Sequence, residues 1–289
     1  MDLIVTQALN GFVYGALLFL LASGLTLIFG LMGVVNLAHG SFFMLGSFFA
    51  VTAIKLTGNF WLALLLAPIP VVIFAVLMER FFLRPLYARD KLDPVLLTFG
   101  FSFIVTDLTE WAWGKEVLPI EEPRLLDDSI ELLGGVFPLY RLALVGFVLL
   151  IALCMWFIID RTRAGAMVRA SVDDAATAVG IGLNVPLLLA SNFACGAALA
   201  ALAGVIAGPI LGVYSGVDVE ILIPAFIVIV IGGMGSLKGA FVGSLLIGEA
   251  DTFGKAYLPD SAMFLIYLAM ITILLARPGG LFGQPPSER

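Results

Sequence analysis

Apolar positions fall in blocks of about twenty residues along this chain, with short polar stretches between them. A helix needs about 20 mostly apolar residues to cross a bilayer. Windows of that size lie near residues 9–30, 37–55, 60–82, 94–113, 138–159, 186–211, 220–234, 238–256 and 261–277. The expected fold is all-α: a polytopic transmembrane bundle of eight or nine spans with broken helices, forming one domain over residues 1–289. Gly232, Gly233, Gly235 and Gly239 interrupt the stretch 220–256, which fits either two short spans or one re-entrant hairpin.

The polar interruptions give sidedness. Arg80, Arg84, Arg89 and Lys91 follow the third block, Arg161, Arg163 and Arg169 follow the fifth, and Arg277 and Arg289 close the chain. Basic loops stay in the cytoplasm. The segment from Asp107 to Glu131 is acidic, so the loop at about 107–137 belongs outside, either simply solvated or offering a docking surface for a basic soluble partner. Nine spans then put the N-terminus outside and the C-terminus inside. The stretch at about 160–186, DRTRAGAMVRASVDDAATAVGIGLNVP, is too polar to span. Residues 164–179 lack proline and predict a short helix outside the bilayer.

Composition agrees. The chain is 61% hydrophobic and 12% charged with mean hydropathy +1.11, whereas soluble domains carry about 25% charged residues. Cys154 and Cys195 sit in apolar runs and read as small buried hydrophobes. The opening MDLIV has no basic n-region, so the first span is expected to stay as an anchor. Gly196, Ala200, Gly204 and Gly208 recur every four residues, as do Gly235, Gly239 and Gly243. Such stripes let helices approach closely, within the subunit or between subunits. A short internal echo joins Phe29–Ser47 and Ile231–Leu245: each has Gly-x-Met-Gly, a polar group, a glycine and an apolar helix.

Catalytic chemistry is hard to find. His39 is the single histidine, no His/Cys cluster suits a metal, no nucleophile has an evident base, and no phosphate-binding loop occurs. No catalytic residue, metal site or nucleic-acid surface is expected. The intramembrane polar set is Asn10, Asn36, His39, Ser41, Asn192, Lys238 and Glu249. Asn36, His39 and Ser41, and likewise Gly232, Gly233, Gly235 and Ser236, are candidates for a helix break beside a transport path.

Asp174-Ala175-Ala176, three residues, then Gly180 resembles the Glu-Ala-Ala-x-x-x-Gly loop of ATP-binding-cassette importer permeases, with Asp for Glu. The later Ile-x-Leu-Pro element is absent, leaving Pro186. Ser23–Gly46 (SGLTLIFGLMGVVNLAHGSFFMLG), Arg163-x-Gly165-x-x-x-Arg169-Ala170, Ile229–Gly243 (IVIGGMGSLKGAFVG) and Arg277–Gly283 (RPGGLFG) look like the branched-chain amino-acid permeases, the shorter of the paired permeases. Ser41 stands where that family often has Glu. The resemblance implies a bacterial inner-membrane importer subunit that binds no cofactor itself. It would work with a second permease, two ATPase subunits holding ATP and Mg²⁺, and a periplasmic binding protein. Arg163, Gly165, Arg169, Ala170, Asp173, Asp174, Ala175, Ala176 and Gly180 would form a coupling helix at the ATPase interface. Urea, short amides or aromatic acids are alternative cargoes. An ion-coupled secondary transporter, with Glu249 as its acid, is the alternative of another class, and an intramembrane enzyme lacks a constellation.

Overall fold

The computed structural model describes residues 2–87, 89–132 and 135–283, with the side chains of residues 2, 3, 132, 173 and 175 outside that set. Arg289 therefore lies outside the described residues, as do the side chains of Asp173 and Ala175. Twelve α-helices follow in order: α1 Asp2–Met32, α2 His39–Thr57, α3 Phe60–Leu66, α4 Pro68–Met78, α5 Leu92–Trp113, α6 Leu139–Arg161, α7 Arg163–Asp173, α8 Ala175–Gly180, α9 Val185–Leu211, α10 Val217–Gly232, α11 Leu237–Tyr257 and α12 Ala262–Ala276. A π-helical turn, Glu79–Leu83, extends α4. A two-stranded antiparallel hairpin, β1 Ser129–Leu132 and β2 Gly135–Pro138, precedes α6 with Ser129 opposite Pro138.

Among the described residues, seven helical segments are long and apolar enough to cross a membrane. The chain is a multi-pass membrane protein. The third segment, Phe60–Leu86, is one apolar run made of α3, α4, the π-turn and a 3₁₀ turn at Arg84–Leu86, jointed where Pro68 starts α4. α10 has 16 residues, too short to meet that length, and α11 carries Lys238, Glu249, Asp251 and Lys255, which lower its hydropathy.

Position in the bundle follows how closely the backbones approach one another. α1 is the axis: Leu18, Leu20, Leu21, Ala22 and Leu25 are fully buried. Small residues on its neighbours let backbones touch it, with Gly15 against Ser244 and Gly24 against Gly196. α6 and α12 stand at the periphery and turn Leu153, Phe157, Phe264 and Leu268 outward, as a lipid-facing surface requires; α5 also exposes Phe103 and Leu108. Gly196, Ala200, Gly204, Gly208, Gly239 and Gly243 are all buried inside this chain, while Gly235, at the start of the second stripe, is exposed. Both cysteines are exposed, correcting the expectation of burial. Cys154 and Cys195 lie on helix faces left uncovered by neighbours, and apolar sequence surroundings do not separate that face from a protein-facing one.

Two ends can be named by charge. Arg84 reaches the carbonyl of Pro186 at 3.3 Å, bringing the loop after the third segment to the start of α9; this is the basic end. At the acidic end Leu118 and Val213 exchange backbone hydrogen bonds of 2.8 and 3.1 Å, joining the segment after α5 to the end of α9. Asp107 and Glu110, expected in the acidic loop, belong to α5.

Candidate functional site

The polar stretch after α6 folds as two helices where one was expected. Thr162 leaves helical geometry and its side chain accepts a bond of 3.3 Å from the Gly165 N–H, starting α7. Asp174 then breaks the helix in extended conformation at φ −155°. Its Oδ1 accepts from the N–H groups of Ala176 at 2.9 Å and Thr177 at 3.0 Å, and its Oδ2 accepts from the Thr177 hydroxyl at 2.5 Å. Aspartate three residues before a threonine satisfies the free N–H groups of a new helix better than it continues an old one. These bonds, the Thr177 hydroxyl first, hold the Asp174 carboxyl below its ordinary value. The acid of the Asp-Ala-Ala-x-x-x-Gly motif is therefore an N-cap. Gly180 closes α8, the sharp turn falls on Gly182 at φ +90°, and Asn184 caps α9 with a 3.1 Å bond from Leu187 N–H.

The coupling candidates divide between two faces. Gly165 is buried against the Ile159 carbonyl, where no Cβ fits. The Arg169 guanidinium donates to that same carbonyl and lies 4.0 Å from Asp160. Ala178 and Ser171 are buried too. Arg163, Asp174, Ala176 and Gly180 point outward, with Ala170 half-buried. Arg161 lies over the Trp156 ring at 5.6 Å.

The turn between α10 and α11 lies at the same end. Gly233 (φ +100°) and Gly235 (φ +85°) bend it, and Ser236 caps α11 through a 3.1 Å bond from Gly239 N–H. The closing Arg277–Gly283 motif is strapped across this turn: Leu281 N–H donates to Ile231 at 2.8 Å and Phe282 N–H to Gly232 at 3.0 Å. Gly233 touches Gly280 and Gly283, while Gly235 touches Gly30. Three sequence-distant motifs thus meet in one knot, and the two copies of the internal echo touch through Gly30 and Gly235. A cavity of 1430 Å³ opens beside the knot, lined by Asn192, Gly165, Arg169, Ser236 and Lys238 among others.

Asn36, His39 and Ser41 lie apart from that knot, buried within the bundle. After Gly33 (φ +62°) the chain unwinds. Asn36 Oδ1 accepts from Ala38 N–H at 3.1 Å, and Leu37 N–H donates to Thr98 at 3.1 Å. His39 Nε2 donates to the Leu21 carbonyl at 3.0 Å, because a carbonyl can only accept; this ties the start of α2 to the middle of α1. These bonds tie the unwound segment to α1 and α5. Ser41 Oγ bonds Asp218 Oδ2 at 3.1 Å, and Thr106 Oγ1 bonds the same oxygen at 3.3 Å.

Asp218 is the residue that sequence reasoning missed. The seventh window began after it, although an acid just beyond Gly216 and before an apolar run is a helix-start signal. Glu79 and Asp251, buried like Asp218, were not singled out in the sequence either. Glu79 is fully buried, receiving Arg84 at 2.8 Å and Tyr87 at 3.2 Å. Asp251 pairs with Lys255 at 2.6 Å, whose ammonium lies over Tyr14 at 5.5 Å. Among the described residues no group of three His, Cys, Asp or Glu could hold a metal ion.

A family model described as branched-chain amino acid transport system / permease component matches residues 7–274. The high-affinity branched-chain amino acid transport system permease protein BraD of Pseudomonas aeruginosa is 30% identical over 297 residues, covering 98% of this chain and 97% of its own. The high-affinity branched-chain amino acid transport system permease protein LivH of Escherichia coli is 29% identical over 304 residues, covering 98% and 96%. LivH of Salmonella typhimurium is 29% identical over 297 residues, covering 98% and 96%.

Proposed function

The chain belongs to the branched-chain amino acid transport system permease family, and from that premise we propose that it is the membrane subunit of an ATP-driven importer of branched-chain amino acids in the bacterial inner membrane. The observation that carries this is similarity over 98% of the chain to permeases named for that cargo. The partners are a second permease, two ATPase subunits that hold ATP and Mg²⁺, and a periplasmic binding protein.

The basic end is cytoplasmic. Nine crossings are supported by parity. α11 runs antiparallel to α1, with Gly11 against Glu249 at one end and Gly30 against Gly235 at the other. α9 ends at the acidic end, where Val213 pairs with Leu118. α10 has to carry the chain back to the basic end for α11 to start beside Gly30, so both cross.

The outward face of α7–α8 receives the ATPase. Ala176 and Gly180 are small enough for close seating, Asp174 holds α8 as its cap, and Arg163 offers charge. Gly165 and Arg169 lock α7 to α6, so a displacement of α7–α8 is passed to α6 directly and to α9 through the Asn184–Pro186 corner. The binding protein docks at the acidic end. Cargo is tested by uptake into proteoliposomes containing the whole complex: labelled leucine should be accumulated with ATP and chased by isoleucine and valine. Accumulation of urea or an aromatic acid in its place would overturn the cargo assignment.

A further inference from the structure

Two helices start beside each other inside this bundle. Gly40, in the first turn of α2, lies against the backbone carbonyl of Asp218, in the first turn of α10, with no room for a Cβ. Asp218 is 2% exposed. Its Oδ2 is held by Ser41 at 3.1 Å and Thr106 at 3.3 Å. The N–H groups of Asp218 and Val219 lie near the carboxylate but give Oδ1 no hydrogen bond of regular geometry. The Ser215 hydroxyl, three residues earlier, also lacks a partner. Buried carboxylate oxygens without partners are costly, so one that is built in points to a ligand.

Depth and surroundings add to this. Counting 1.5 Å per helical residue, Thr106 lies about 21 Å from the basic end of α5 and about 10 Å from its other end, and Asp218 lies about 21 Å from the basic end of α10. The site is therefore within the membrane, in its outer half. At the adjoining surface Asp107 of α5 and Glu220 of α10 are both exposed, Glu220 bonded by Tyr214 at 2.6 Å. Carboxylates at such depth face water-filled paths and not lipid. Exposed Phe103, Val219 and Ile223 surround them with apolar surface.

We propose that the α5–α10 face around Asp218 is a wall of the translocation path, and that Asp218 Oδ1 receives the ammonium group of a zwitterionic amino acid in transit. The proposal rests on the amino-acid importer reading. A primary ammonium has three donors to place, and Asp218 Oδ1 is a buried acceptor without a hydrogen bond of regular geometry. Phe103, Val219 and Ile223 suit an aliphatic side chain. Transient occupancy follows, because Ser41 and Thr106 already take part of the carboxylate.

The test uses the whole complex in proteoliposomes with its binding protein. D218N keeps an oxygen that accepts from Ser41 and Thr106 but removes the charge. Leucine uptake should fall roughly tenfold or more, while binding-protein-stimulated ATP hydrolysis stays within about twofold of wild type. Uptake by D218N at the wild-type rate would overturn the proposal. A second variant does not depend on D218N folding: E220C, with Cys154 and Cys195 replaced by serine, treated with a charged membrane-impermeant thiol reagent. Modification that is slowed during leucine transport supports the path; resistance to the reagent throughout the transport cycle overturns it. A wild-type complex that moves no leucine refutes the importer reading itself. A wild-type complex that moves leucine beside an indifferent D218N refutes only this site.

Discussion

Gly204 on α9 has no space for a methyl group, because the carbonyl of Phe43 occupies the position a Cβ would take. G204A should destabilise the purified permease by about 1–3 kcal/mol, the range for overpacking. Gly146 on α6 has nothing within 4 Å of that position, so G146A should leave the melting temperature unchanged or slightly raised. Equal melting temperatures for the two variants would contradict the close approach of α9 and α2. Asp174 carries a different kind of prediction. Its carboxyl is held below the ordinary value of 3.8, chiefly by the Thr177 hydroxyl. A depressed carboxyl contributes its stabilisation above the ordinary value and loses it as pH falls through the depressed one. Amide-exchange protection at Ala176 and Thr177 should therefore hold across the neutral range and disappear only below pH 3.8; loss near neutrality would rule out the cap. His39 and Asn36 were legible in the sequence, since polar residues between apolar runs stand out. The long-range bonds that fix this segment were not, because Leu21 lies 18 residues from His39 and Thr98 lies 61 residues from Leu37. Asp218 escaped for the same reason: Ser41 is 177 residues away.

Among the elements, the π-turn at Glu79–Leu83 and the α8–α9 corner are linked by one side chain. Arg84 donates to Glu79 from Nη2 at 2.8 Å and to Pro186 at 3.3 Å. R84A leaves a buried carboxylate with Tyr87 as its remaining partner. Breaking a buried pair costs about 3–5 kcal/mol, but Arg84 is 36% exposed, so water can reach the site and about 1–3 kcal/mol is expected. Thermal unfolding of the variant checks this, and a loss too small to measure would mean that the pair is screened. Residues 164–179 were recognisable as helical from their lack of proline, yet the division into α7 and α8 was not. That depends on Asp174 choosing the N–H groups ahead of it over the helix behind it. The segment 220–256 was uncertain for a related reason. Its glycines signal a break, but whether a break is a hairpin tip or a turn between two crossings depends on what lies alongside, here α1.

At the scale of the molecule, large apolar side chains fill the centre and also cover the outside, because lipid takes the outer face, while glycines and alanines sit where two backbones approach. The blocks of apolar sequence made the bundle legible, and the basic loops made its two ends legible. Which helices are central was not, since α1 and α12 are similarly apolar and differ in what surrounds them. The same blindness misjudged Cys154 and Cys195. The knot of Gly30, Gly233, Gly235, Gly280 and Gly283 ties α1, α10, α11 and the chain's closing motif at the end where α7 and α8 project. The two helices are the proposed coupling surface, through which energy from ATP hydrolysis on a partner would enter. Ala176 is outward-facing on α8. The direct measurement is ATP hydrolysis and leucine uptake in the same proteoliposomes, wild type against A176W, with complex assembly checked by co-purification. A176W complexes should assemble and hydrolyse ATP with uptake reduced roughly tenfold or more, the loss of a well-seated contact; uptake per ATP equal to wild type would contradict coupling through α8.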